Sequence, residues 1–349
     1  MIGTTGTIAA MARTVVDKLA NSLSGNRTIF PFGGLTKFLS GSRTKCLAGS
    51  PADFVSNSLR RLFYCASAAG LVAVGYGPPT FAQESDELLQ RGTYLMESIG
   101  ACGNCHTPKR SDGTPIENLH LAGGFVIEEP GFKAYAPNIT MDEATGIGTW
   151  SDEEIIRAIR EGFRPDGTII GPPMPTPWYR DISDTDVLAI VAYLRNAEPV
   201  NRVVPKSEYR VPLPPDWGPP VESVPDVSRD DPLAYGTYVA VALGHCTECH
   251  TPLVEGMHDF TRTGLGGNSY PNIFGLGFTV VSANVTSHPI LGIGEWTDEE
   301  IKLAITDGIR PDGRQMLDSM AFQYYRNMTE EDLDALVVYL RSLPPQPIE

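Results

Sequence analysis

From about residue 83 onward, apolar positions recur at helical spacing in short blocks, each opened by a hydroxyl side chain followed by acids. Ser151-Asp-Glu-Glu154 precedes Ile155 and Ile159, and Thr297-Asp-Glu-Glu300 precedes Ile301 and Ile305. Both read as capping boxes, in which the hydroxyl and the Glu three residues later satisfy each other's backbone N–H groups. Ser183 and Thr329, each with Asp three residues later, open the helices "VLAIVAYLR" and "LDALVVYLR", which end at Asn196 and near Pro344. Between the helical blocks, Pro108 to Pro137 and Pro252 to Ser282 are Gly-rich and weakly periodic, and predict loops. Residues 197–232 carry nine prolines and predict an extended linker. The pattern is that of an all-α chain.

The blocks come in pairs. "RGTYLMESIGACGNCHTP" (91–108) lies over "YGTYVAVALGHCTECHTP" (235–252) at an offset of 144, and "NITMDEATGIGTWSDEEIIRAIREGFRPDG" (138–167) over "NVTSHPILGIGEWTDEEIKLAITDGIRPDG" (284–313) at 146. An internal repeat of this length predicts two tandem helical domains, 83–197 and 233–349, joined by the Pro-rich linker 198–232.

The chemistry is concentrated at the start of each repeat. Cys102, Cys105 and His106, and again Cys246, Cys249 and His250, stand as C-x-x-C-H, the spacing of c-type haem attachment. Two cysteines three apart can each form a thioether to a vinyl group while the adjacent histidine turns to the iron. A redox disulfide predicts one such motif on a βαβ unit, which is absent here. A zinc site built from both motifs leaves the two histidines unexplained. The weakly periodic loops then read as segments that wrap two covalently attached haem c groups.

For the sixth iron ligand, Met174 falls on Met320 at offset 146, about 70 residues beyond each haem histidine. A thioether is a soft ligand that suits haem iron and raises its potential, and prolines on both sides of Met174 stiffen its loop. Met316 falls on Ile170 and reads as core. His245 adjoins the attachment motif and cannot reach the far face, while His120, His258 and His288 lack partners in the other repeat and read as surface or loop residues. Trp150 and Trp296 suit packing near haem propionates as well as ordinary core packing. Arg164 and Arg310 open the RPDG turns and read as turn residues.

Composition separates a leader from this body. Residues 1–82 carry a net +6 and residues 83–349 a net −21, within a whole-chain charge of −15. Arg60 and Arg61 precede the apolar run "LFYCASAAGLVAVGY", with a small-residue site ending at Ala82, so residues 59–82 read as a cleaved secretory signal peptide, with an uncleaved N-terminal anchor as the alternative. Residues 1–58 read as a start codon placed too early, or as an organelle presequence. The body therefore reads as periplasmic, with a mitochondrial intermembrane space as the alternative, and as soluble or peripheral to a membrane. Of six cysteines, Cys46 and Cys65 fall in the leader and the other four lie in the two motifs, leaving none for structural disulfides. The acidic body favours basic partner surfaces and excludes nucleic acid.

Together, "GACGNCHTP", "TGIGTWSDEE", "RPDG", "PPMP" and "ISDTDVLAIVAYLR" resemble class I cytochrome c domains, and are similar to the cytochrome c subunits of bacterial alcohol, sorbitol and gluconate dehydrogenases. The likeness covers residues 88–345. It implies axial pairs His106 with Met174 and His250 with Met320, thioether anchors at Cys102, Cys105, Cys246 and Cys249, and no catalytic residue. Many such subunits have three haems and a C-terminal membrane helix, whereas this chain carries two motifs. The expected function is electron transfer from a dehydrogenase to an acceptor of the respiratory chain. A di-haem enzyme of the peroxidase or thiosulfate-oxidising type, with one iron open to substrate, is the alternative. N-terminal sequencing of the protein from its native host should begin at or near Gln83, and recovery of residues 1–58 in mature protein would overturn the reading of the leader.

Overall fold

The computed structural model describes residues 81–110, 113–271 and 277–346. The leader, with Arg60-Arg61 and the apolar run, lies outside the described residues, and Ala82 stands in the first turn of a helix. Residues 75–349 form one compact unit.

The structure is mostly helical. In the first repeat, α1 (Phe81–Glu97) leads into the short α2 (Cys102–His106), followed by α3 (Asp152–Arg160), α4 (Thr176–Tyr179) and α5 (Asp184–Arg195). In the second, α6 (Pro232–Tyr238) continues through a π-turn at Val239–Leu243 into α7 (Cys246–His250), then α8 (Asp298–Thr306), α9 (Phe322–Tyr325) and α10 (Glu330–Ser342). Both expected capping boxes form, at Ser151 with Glu154 and at Thr297 with Glu300. No helix among the described residues is long and apolar enough to cross a membrane.

The all-α expectation holds for the scaffold and fails in the segments between the helices, where three small antiparallel sheets form among the described residues. The segments expected as plain loops contain β1 (Val126–Glu129) paired with β2 (Phe132–Tyr135), β4 (Leu253–Val254) with β5 (Met257–His258), and β6 (Ser269–Pro271) with β7 (Thr279–Val281). Strands this short carry too few alternating positions to register as a period of two.

Helix α1 packs on α5, and α6 on α10. At each crossing a glycine permits the close approach: a Cβ on Gly92 would strike the Ala189 carbonyl, and one on Gly236 the Ala335 carbonyl. Leu95, Met96 and Ile99 of the first repeat share one buried apolar cluster with Val239, Leu243 and Leu336 of the second. The proline-rich segment does more than space the repeats. It wraps the first one, adding strand β3 (Glu208–Tyr209) to β2 with Phe132 opposite Tyr209, and Trp217 donates to the Ile170 carbonyl at 2.9 Å.

Two tyrosines tie the repeats together. Helices α5 and α10 open on Ser183 and Thr329, whose hydroxyls accept from the backbone N–H groups of Asp186 and Asp332. Here the third helical residue is Asp, one methylene shorter than the Glu of a capping box, and a tyrosine of the opposite repeat bridges the gap. Tyr238 Oη accepts from the Ser183 N–H at 3.1 Å and donates to Asp186 at 2.7 Å. Tyr94 Oη accepts from the Thr329 N–H at 3.2 Å and donates to Asp332 at 2.6 Å. Asp186 also takes a bidentate pair from Arg91, and Asp332, fully buried, accepts from Tyr235 and Arg229. Burial and then the Asp332 carboxylate raise the Tyr94 pKa, so the hydroxyl stays a donor.

Replacing Tyr238 with Phe leaves a buried N–H without its acceptor and removes one donor from a buried carboxylate. Tyr238→Phe and Tyr94→Phe should each cost about 1–3 kcal/mol of stability by chemical denaturation. Loss within error in both variants would rule out the tyrosine bridge as a stabilising contact.

Candidate functional site

Each C-x-x-C-H segment folds as a single helical turn entered through a left-handed residue, Ala101 (φ 45°) before α2 and His245 (φ 38°) before α7. The turn puts both cysteines and the histidine of a motif on one short element. The four cysteines of the motifs form no disulfide, and burial pushes Cys102 and Cys249 up to about 12 and Cys105 and Cys246 up to about 11, opposite in direction to the lowered thiol of a redox C-x-x-C pair. Among the described residues no group of three or more His, Cys, Asp or Glu side chains is placed to hold a metal ion.

The histidines are oriented by the backbone. His106 Nδ1 lies 2.9 Å from the Pro137 carbonyl, and His250 Nδ1 2.8 Å from the Ala283 carbonyl. A carbonyl only accepts, so each Nδ1 carries the proton and Nε2 is left with the lone pair. Burial lowers both pKa values and keeps the rings neutral, against the opposing pull of the carbonyl.

Each histidine opens on a cavity. The first, of about 360 Å³, is lined by Cys102, Cys105, His106 and Met174. The second, of about 640 Å³, is lined by His250, Met320 and Met316, and Cys246 and Cys249, on α7 with His250, do not take part in its wall. The structure thus brings each histidine and its repeat-equivalent methionine to one cavity, in a volume range typical of cofactor sites. Met316 was expected in the core and instead shares the second cavity wall, as Ile170 shares the first.

The residues fit a haem. Soft sulfur and imidazole donors share a mainly apolar wall, and Arg310 supplies a polar group without a counterpart: its buried Nε has no partner among the described residues, and its guanidinium lies 5.3 Å from the centre of the Trp296 ring. Trp150 and Arg164 line the first cavity in the same way. The expectation that the two arginines serve only their turns is therefore incomplete. Arg164 does bond its turn, at the Ile169 carbonyl, but both side chains also reach a cavity wall, which turn spacing alone does not reveal.

Residues 237–344 match the family model for cytochrome c. That stretch is a cytochrome c domain. Over 310 residues it is 31% identical to the alcohol dehydrogenase (quinone) cytochrome c subunit of Gluconobacter oxydans, covering 84% of this chain and 63% of that one. It is 30% identical to the gluconate 2-dehydrogenase cytochrome c subunit of Pantoea cypripedii, covering 78% of this chain and 64% of that one. A diheme cytochrome c-type protein of Cereibacter sphaeroides is 28% identical, with 81% of this chain and 96% of that one aligned. The chain spans less than two thirds of the length of the two dehydrogenase subunits.

The two cavities differ in their cover. Ser207 and Tyr209 of the proline-rich segment close over the first, and Tyr209 Oη donates to the Pro172 carbonyl at 3.1 Å. The second has a rim of exposed apolar side chains, including Val281, Ile290 and Leu291. Sequence reasoning missed this asymmetry, because the cover comes from a segment that lies outside the repeat.

The two attachment helices are each held by the other half of the cytochrome. Trp178 of α4 donates its indole N–H to Thr247 Oγ1, between Cys246 and Cys249, at 2.9 Å in a buried setting. In return Tyr324 of α9 packs its hydroxyl where a side chain on Gly103 would be. Thr247→Val keeps the shape but leaves the indole N–H unpaired, and should cost about 1–3 kcal/mol in denaturation of the mature protein. An unchanged midpoint would show that the indole finds another acceptor.

Proposed function

We propose that this cytochrome is a di-haem electron carrier that takes electrons from a dehydrogenase and passes them to an acceptor of the respiratory chain. The observation that carries the reading is the pairing, in each repeat, of an imidazole whose Nδ1 is tied to a carbonyl with a methionine on the wall of the same cavity. In this reading His106 with Met174 and His250 with Met320 are the axial pairs. Cys102, Cys105, Cys246 and Cys249 anchor two haem c groups. When bound, haem supplies one-electron chemistry, and the protein supplies ligand choice, a dry pocket and orientation. With a histidine and a methionine holding each haem, neither site would leave a free ligand position for substrate.

The names of its relatives, cytochrome c subunits of alcohol and gluconate dehydrogenases, support a dehydrogenase as the donor. The diheme relative, aligned over nearly its whole length, supports two haems. The net −21 of residues 83–349 supports a basic docking surface on the partners. The leader supports export to the periplasm, with the body soluble or peripheral to a membrane.

The test is haem stoichiometry and ligation in mature protein. Intact mass should show two haems that survive acid–acetone extraction. Met320→Ala should open the second iron to carbon monoxide, while Met316→Ala should leave it closed, and the unmutated reduced protein should bind carbon monoxide poorly. A single haem would remove the di-haem reading. Rapid carbon monoxide binding or peroxide turnover by the unmutated protein would favour the enzyme alternative.

A further inference from the structure

The wall of the first cavity is not made by the first repeat alone. Leu243 and His245, from the second repeat, take part in it. His245 is peptide-bonded to Cys246, the first cysteine of the second attachment motif. Its ring meets that of Tyr179 edge-on, with centroids 5.7 Å apart and planes at 83°, and Tyr179 is itself a buried wall residue of the first cavity. The imidazole is held in place, its Nδ1 lying 2.8 Å from Glu248 Oε2.

The equivalent position in the first repeat is Ala101. It adopts the same left-handed backbone, so that conformation belongs to the motif, whereas the imidazole belongs to the second repeat only. The His250 site thus reaches towards the first cavity through a ring, and the His106 site has only a methyl group to offer in return. Among the described residues no hydrogen bond to the other repeat explains the imidazole, which leaves its place in the cavity wall as its distinguishing feature.

We propose that His245, with Tyr179 packed against it, is the bridge by which electrons pass between the two haem sites. The inference rests on the di-haem reading above. In the step, a ferrous haem at one site is oxidised and a ferric haem at the other is reduced by the same electron. No bond forms or breaks, and no further reactant is consumed. Electronic coupling falls off less steeply through covalent bonds and close-packed rings than across a gap. His245 offers one contact at the first cavity wall and then a bonded path to Cys246, and the buried Tyr179 ring meets it edge-on.

The experiment uses the mature two-haem protein in a half-reduced state. Intramolecular exchange is read from the broadening of haem-methyl NMR signals, alongside both reduction potentials and the haem content. His245→Ala copies the residue that the first repeat carries in the same backbone conformation, so it is compatible with the fold. His245→Phe restores a ring without the imidazole nitrogens. The expected result is slowed exchange in His245→Ala with two haems retained, and recovery of exchange in His245→Phe. Exchange at the unmutated rate in His245→Ala, or slowing that Phe does not reverse, would overturn the bridge. Fewer than two haems in the unmutated protein would instead remove the di-haem reading, and is seen separately by mass.

Discussion

The hydroxyl groups of Tyr94 and Tyr238 hold the architecture together. Each sits at the start of the other repeat's last helix, accepting from the N-cap N–H and donating to a carboxylate one turn inside. Each carboxylate also has donors from outside the opposite repeat, Arg91 for Asp186 and Tyr235 and Arg229 for Asp332, so what the opposite repeat adds is an acceptor for the N-cap N–H and one further donor to the carboxylate. The aspartates at 186 and 332 make this contribution possible. A glutamate at either position could close an ordinary capping box within its own helix, as Glu154 and Glu300 do.

Docking in this way places the two attachment helices against each other's neighbours. Trp178 reaches Thr247, Tyr324 reaches Gly103, and Tyr179 meets His245. The contacts are reciprocal in position but differ in chemistry: a hydrogen bond on one side and close packing against a glycine on the other. Gene-level repetition accounts for the shared frame. The departures from it at 101/245 and 103/247 lie where the two repeats touch, where a side chain faces the other repeat rather than its own.

The proline-rich segment adds the second asymmetry. Its backbone bonds to the first repeat begin where Asn138 donates to the Val200 carbonyl, and the second repeat starts the same pattern with Asn284 and Gln346. In the first repeat the chain continues as β3 and covers the cavity. Solvent access influences the potential of a haem and the ease of exchange with a partner, so two sites built from one repeat are set apart by what lies over them.

By itself the sequence determined the four capped helices and the repeat, and it paired His106 with Met174 and His250 with Met320, which line one cavity each. Capping boxes and C-x-x-C-H turns are local, set by side chains within a few residues of the backbone they satisfy, and the offset of 144 to 146 aligned Met174 with Met320 without any knowledge of the fold. What the tertiary structure decided depends on pairs far apart in the chain. Asp186 was legible as a helix-start residue, but its partner Tyr238 lies 52 residues away. Arg164 and Arg310 were legible as turn residues, and their reach into the cavities follows from where the turns dock. The short strands escaped because pairing partners, not period, create them. His245 was read as unable to act at its own site, which was a statement about one repeat; its place in the other repeat's wall exists only once the two are packed.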